Sequence, residues 1–221
     1  MTKLQRWLVR LAFWGFFIFA AVDLHGAFHF LLLNSILAYV PIELSFWLTE
    51  RRGPLLFWFM TVIWLLFYPN APYLMTDLFH LSLLKPYGIN GLLRFDLPMW
   101  RDFAYLVGPM MVATIIGTWG VDRVARQLTY RLRLSRLPAS RSIICAALFL
   151  FASVGVYVGR FLRLHSIYLL ITPQYIVKQL LEMWSLKMLA FVLMMWLLQL
   201  IIYAAWRFTM PTTPHQAEND S

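Results

Sequence analysis

The stretch LKMLAFVLMMWLLQLIIYAAW, residues 186–206, decides the class of fold. It contains one charge, Lys187 near its start, and neither Pro nor Gly. Its length matches the roughly 20 apolar residues a helix needs to cross a bilayer's hydrocarbon core. A surface helix of a soluble protein would interleave polar residues every three to four positions, whereas this one is apolar on nearly every side. Five further stretches follow the same pattern, near residues 4–24, 27–48, 54–69, 103–121 and 142–159. The fold class read from them is all-α: a polytopic membrane helix bundle of about six spans, with interfacial helices on its outer face. The third and fifth stretches are short for full spans and are expected to continue into their neighbouring segments.

Composition agrees. The 221 residues are 61% hydrophobic and 13% charged, with a mean hydropathy of +0.68. A soluble domain carries roughly a quarter charged residues, so so few charges cannot clothe a water-soluble globule of this size, and the apolar excess must face lipid. The net charge of +9 has the same source. Lys and Arg collect in cytoplasmic loops, which makes a membrane protein basic without any nucleic-acid partner. Cys145 is the only cysteine, so no intrachain disulfide or CxxC pair exists.

Residues 1–210 read as one transmembrane helical domain and 211–221 as a disordered polar tail. The first stretch has the basic start of a signal peptide, but Phe13, Trp14, Phe16, Phe17 and Phe19 and the lack of a small-residue cleavage site favour a retained span. With the N-terminus inside, twelve Lys and Arg fall on the cytoplasmic side, most densely from Arg123 to Arg141. The other seven fall outside. The expected placement is therefore a multi-pass protein of the bacterial inner membrane with both termini cytoplasmic. Segments 70–102 and 160–185 are too long for turns and read as outer interfacial helices. The absence of Pro and Gly from Tyr175 to Phe208 predicts a last helix that begins before the membrane. No internal repeat is visible, which counts against inverted-repeat transporters.

Polar residues inside or beside such spans carry the functional information. Asn34 lies within the second span, where its amide needs a partner on another helix. Glu43, deeper in the same span and two residues after Pro41, is expected to pair with Arg51 or Arg52 or to stay neutral. The most informative segment is YPNAPYLMTDLFHL, Tyr68 to Leu81. Pro69 can end one helix and Asn70 cap the next, with Pro72 in its first turn. Tyr73, Asp77 and His80 then share a face, and Thr76 stands four residues before His80. Asp and His at this spacing suit an acid–base pair, or a local hydrogen bond. No HExxH or second nearby His accompanies them, so neither a metal nor a cofactor is expected.

The second segment, GVYVGRFLRLHS from Gly155 to Ser166, carries a GxxxG pattern at Gly155 and Gly159 that permits close helix approach. Arg160 and Arg163 follow on one helical face, at an end where orientation does not require positive charge. They are expected to pair with Asp77, Asp96 or Asp102, or to bind a phosphate or carboxylate. Asp102 lies at the entry to the fourth span.

Together, the Asn34 helix with Leu37, Ala38 and Pro41, the YPNAPYLMTDLFHL segment, the tryptophan–aspartate entry at Trp100–Asp102 and GVYVGRFLR resemble the bacterial membrane-protein family called domain of unknown function 1361. The resemblance covers about residues 30 to 165. It implies a multi-spanning inner-membrane protein and lends weight to the two outer segments, but it implies no reaction. Three functions follow from the residues. An assembly or accessory membrane protein would have its helices locked by the outer polar cluster of Asn34, Asn70, Tyr73, Thr76, Asp77, His80, Asp102, Arg160 and Arg163. A small transporter or channel would pass cargo along Asn34, Glu43 and the break at Pro69. A membrane-face enzyme or binder of an anionic lipid would use the arginines on phosphate, with Asp77 and His80 as acid and base. The partners expected are the lipid bilayer, an anionic lipid or another membrane protein, and no nucleic acid.

Overall fold

In the computed structural model, residues 1–23, 29–49, 51–137, 139–162 and 173–209 are described. Arg163 and the tail 211–221 lie outside them. The helices are α1 (Lys3–Asp23), α2 (Phe30–Trp47), α3 (Pro54–Phe67), α4 (Asn70–Asp77), α5 (Leu97–Arg131), α6 (Ser140–Tyr157), α7 (Pro173–Glu182) and α8 (Leu186–Thr209). A 3-10 segment, Leu78–Leu84, extends α4, and a π-helical turn, Val158–Leu162, extends α6. Among the described residues six helical segments are long and apolar enough to cross a membrane, and the chain is an all-α membrane bundle.

The third span continues into the segment that follows it, as its short apolar run predicts, and the helix end expected inside it is absent. It does not stop at Pro69: Tyr68 and Pro69 keep right-handed helical angles, the Ala71 amide donates to the Tyr68 carbonyl at 3.0 Å and the Tyr73 amide to the Pro69 carbonyl at 3.0 Å. Residues 54–84 thus form one helical span. Proline is tolerated there because it sits at the junction between α3 and α4, where the Asn70 side chain supplies a donor to the Phe67 carbonyl. The expected outer segment shrinks to residues 85–96, which form a hairpin-like loop closed by hydrogen bonds from Gly88 N to Leu92 O and from Arg94 N to Pro86 O, both 2.9 Å. Gly91 turns that loop at φ +72°, a left-handed angle that glycine adopts without Cβ strain.

The fourth span exceeds its expected end at residue 121, because α5 continues helically to Arg131. At the last span the difference is a break: α7 ends at Glu182, and Ser185 restarts the helix by accepting the Met188 amide on its hydroxyl at 3.2 Å.

The centre is built from α2, α4, α5 and α6, and small residues set its spacing. A Cβ on Gly117 of α5 would lie 3.2 Å from the Ala71 Cβ of α4, and one on Gly120 would lie 3.3 Å from the Ser45 hydroxyl of α2. Close backbone approach of this kind is how helices associate in lipid, where apolar burial alone supplies little drive. Trp64 and Tyr68 stack in the core at 4.9 Å. By contrast α1 is peripheral, and Leu4, Leu8, Leu11, Trp14, Ile18 and Val22 face outward as a lipid-contacting surface. The start of α1 meets the end of α2 through Arg10 and Glu43. The end of α8 meets that of α5 through Arg207 and Asp122. These ends define the proximal face, and the α4–α5 connection lies at the distal face.

Candidate functional site

The distal cluster is assembled by three helices. The small residues of α6 come first: a Cβ on Gly155 would lie 2.5 Å from Pro69 Cγ, and one on Gly159 would lie 3.4 Å from the Tyr73 ring. The GxxxG spacing therefore meets a Pro69/Tyr73 pair of the same four-residue spacing, and α6 contributes no side chain of its own at the two closest points. The π-turn after Tyr157 then carries Arg160 toward α4.

Arg160 Nη1 donates to Asp77 Oδ1 at 3.0 Å and to the Tyr73 hydroxyl at 3.4 Å, while Nη2 donates to the Thr76 carbonyl at 3.0 Å. Its guanidinium also lies 5.5 Å from the centre of the Tyr73 ring. The other Asp77 oxygen accepts Asn34 Nδ2 from α2 at 2.8 Å. Asp77 has 2% of its side-chain surface exposed and Arg160 21%. A buried carboxylate is tenable here because a guanidinium and an amide satisfy both of its oxygens.

His80 Nδ1 lies 2.9 Å from the Asp77 backbone carbonyl, so this nitrogen carries the proton, since a carbonyl can only accept. The ring packs against Phe30 with centroids 4.2 Å apart, and Nδ1 is 3.9 Å from Asp77 Oδ1. The Thr76 hydroxyl donates to the Tyr73 carbonyl at 2.7 Å.

Two expected members behave differently. Asn70 does not cap α4 through its side chain. Its Nδ2 donates to the Phe67 carbonyl at 2.8 Å, satisfying an acceptor at the end of α3. A continuous backbone through Pro69 leaves no free helix start for it to cap. Asp102 stands apart from the cluster, pairing with its neighbour Arg101 at 3.4 Å near the start of α5.

The proximal face holds polar groups whose partners the sequence did not identify. Glu43 pairs with Arg10 of α1, at 3.0 Å to Nε and 2.6 Å to Nη2, and not with Arg51 or Arg52. It also accepts the Tyr39 hydroxyl at 2.7 Å and Trp47 Nε1 at 2.8 Å. Arg52 instead lies over Trp47. Because α5 runs past residue 121, Asp122 becomes a fully buried carboxylate. Arg141 at the start of α6 holds it through both Nε and Nη2, Arg126 donates to it at 3.1 Å, the Tyr203 hydroxyl donates at 3.3 Å, and Arg207 lies 3.9 Å away. The signal that marks Asp122 in the sequence is the absence of Pro and Gly from Val121 to Leu137, with Arg126 one turn on.

Midway along α8, Gln199 is buried, donating to Ser153 Oγ at 2.8 Å and accepting the Tyr68 hydroxyl at 3.5 Å. A lone amide in a long apolar run is its sequence signal. Among the described residues no three His, Cys, Asp or Glu side chains gather as a metal site requires.

Fold and polar clusters together define a polytopic membrane helix bundle with a buried, fully paired charge cluster near its distal face. The family model described as "Protein of unknown function (DUF1361)" matches residues 33–202, and the chain belongs to that family. The match reaches beyond the two distal segments to include most of α8. No curated protein and no solved structure matches the chain.

Proposed function

We propose that this chain is an accessory or assembly protein of the bacterial inner membrane, with both termini cytoplasmic, and that its distal cluster locks α2, α4 and α6 into one rigid unit. One observation carries the reading. The groups best suited to ligand chemistry are already occupied: Arg160 is directed onto Asp77, Thr76 and Tyr73, and Asp77 is closed by Arg160 and Asn34. A guanidinium committed to a buried intraprotein carboxylate is poorly placed to take a lipid phosphate. The proximal accumulation of Arg and Lys supports the orientation.

The test has two parts. Cross-linking at native expression level, followed by native electrophoresis, is expected to place the chain in an assembly with a second membrane protein, and migration as a lone chain overturns the reading. Replacement by Arg160→Lys, Asp77→Asn or His80→Gln is expected to reproduce the deletion phenotype only in proportion to folded protein lost. A His80→Gln protein that folds normally but loses the phenotype favours chemistry on an anionic lipid at this face. Selective permeability lost with Asn34 or Glu43 variants favours transport.

A further inference from the structure

A second polar site lies on the proximal face, independent of the distal cluster. Between the start of α1 and the end of α2 is a cavity of about 130 Å³ lined by Lys3, Arg6, Trp7, Arg10, Phe46 and Trp47. A single water needs only about 10–15 Å³, so a much larger group fits. The lining of α1 recurs at positions 3, 6, 7 and 10, one face of the helix.

That face is held in place at both ends. Thr2 and Gln5 form a reciprocal capping box: the Thr2 amide donates to Gln5 Oε1 at 2.7 Å and the Gln5 amide to Thr2 Oγ1 at 3.2 Å. One helical turn beyond Arg6, Arg10 is clamped to Glu43.

Among the described residues, charge in the cavity does not balance. Glu43 is the carboxylate beside it there and is saturated by Arg10, Tyr39 and Trp47. Among the described residues Lys3 and Arg6 have no carboxylate within ion-pair distance. Arg6 Nε is shielded from solvent and has no hydrogen-bond partner among the described residues, while the Arg6 guanidinium lies 5.9 Å from the Phe46 ring centre. Orienting a chain in a membrane requires only solvated positive charge. It does not require a lysine and an arginine lining one aromatic-walled cavity, with a shielded N–H of the half-buried Arg6 left open. The surroundings point to lipid as the source of the missing anion: Trp7 and Trp47 are exposed at the rim, beside the outward Leu4, Leu8 and Leu11. Indole rings over apolar side chains are the groups that sit at headgroup level.

We propose that this cavity binds the phosphate of an anionic phospholipid from the proximal leaflet, with Lys3 and Arg6 on the phosphate and Trp7 and Trp47 against its glycerol and upper acyl carbons. The purified full chain, in a neutral detergent, is titrated with a short-chain phosphatidylglycerol, a short-chain phosphatidylcholine and inorganic phosphate, and bound ligand is counted by native mass spectrometry. Phosphatidylglycerol is expected to bind and phosphatidylcholine to bind much more weakly. The double variant Lys3→Gln/Arg6→Gln is expected to lose about 20- to 30-fold in affinity, the equivalent of about 1 kcal/mol for each surface cation. Arg133→Gln/Arg136→Gln, which removes two exposed charges of the same face outside the cavity, controls for general attraction and is expected to change binding less than about twofold. Equal losses in the two double variants overturn the site, as does unchanged binding in the first. Inorganic phosphate binding as tightly as phosphatidylglycerol, with the same loss on removing Lys3 and Arg6, overturns the lipid assignment. Circular dichroism checks that each variant is folded, and Arg6→Lys, which keeps the charge, is expected to retain most of the binding.

Discussion

Arg160 and Asp77 are 83 positions apart in the chain and 3.0 Å apart in space, and their ion pair ties the π-turn that extends α6 to the end of α4. The carboxylate is buried, and Asn34 completes it from a third helix. Removing one partner of such a pair strands the other charge in a low-dielectric environment, whereas removing both charges strands nothing.

Arg160→Gln is therefore expected to lower stability by about 3–5 kcal/mol. The double change Arg160→Gln/Asp77→Asn should recover most of that, since two amides of similar shape can still bond each other, Asn34 and the Thr76 carbonyl. Unfolding in mixed micelles of increasing denaturing detergent measures the difference. A double variant no better than Arg160→Gln alone refutes the pairing as the source of stability.

The second expectation concerns the contact that lets Arg160 reach α4. A methyl on Gly155 would sit 2.5 Å and 2.7 Å from two carbons of the rigid Pro69 ring. Gly155→Ala must therefore push α6 away from the third span, at about 1–3 kcal/mol. Gly159→Ala meets the Tyr73 ring at an ordinary 3.4 Å and is expected to change stability by less than about 0.5 kcal/mol. The same micelle titration separates the two.

Asn70 distinguishes a helix cap from a carbonyl-directed donor. A cap accepts backbone N–H groups, so Asp would serve as well as Asn. The structure shows the Asn70 amide donating to Phe67 O. Asn70→Asp places a carboxylate against that carbonyl and is expected to cost about 1–3 kcal/mol. Asn70→Ser, whose hydroxyl can still donate, should cost under about 1 kcal/mol. Equal tolerance of both would restore the cap.

The apolar runs made the six spans legible because membrane burial acts on composition over about 20 residues and needs no knowledge of partners. The distal cluster was legible for a related reason, since YPNAPYLMTDLFHL and GVYVGRFLR hold polar groups where lipid would otherwise be. Boundaries were less legible. Pro69 reads locally as a helix end, yet the helical path runs through it, while Pro72 falls in the first turn of α4 as its spacing predicts. Beyond Val121 the apolar signal of α5 fades into arginines, although the helix goes on to Arg131. Pairing across the bundle was the least legible. Glu43 had Arg51 and Arg52 close in sequence, but its partner is Arg10, and which helix lies beside α2 is a property of tertiary packing that residue spacing does not encode.

Topology is open to a direct check. With both termini inside, a cysteine replacing Asn90 in the hairpin loop is expected to react with an impermeant maleimide added to intact cells, and one replacing Leu134 should react only after lysis. Cys145 is fully buried and contributes little background. The reverse pattern would invert the bundle and transfer the lipid-binding cavity to the other leaflet.

The Asp122 cluster yields a prediction with a distinctive salt dependence. One buried carboxylate faces three arginines, of which Arg126 and Arg207 are substantially exposed, at 56% and 38%. Asp122→Asn removes the only negative charge among them. It leaves Arg141 without its two-point partner and brings three like charges from the ends of α5, α6 and α8 together uncompensated, for an expected loss of about 2–3 kcal/mol at low salt. The repulsive part of that loss acts between groups near water and is screened. The Debye length falls from about 10 Å at 0.1 M salt to about 3 Å at 1 M, so the Asp122→Asn deficit should shrink as salt is raised. The Gly155→Ala deficit, which is steric, should not. Arg126→Gln removes the most exposed of the three cations and is expected to cost less than about 1 kcal/mol on its own. Combined with Asp122→Asn, it should recover part of the lost stability by reducing the repulsion. A deficit for Asp122→Asn that stays constant with salt, with no recovery on adding Arg126→Gln, would mean that the carboxylate acts through hydrogen bonds to Arg141 and Tyr203 and not by neutralising the converging helix ends.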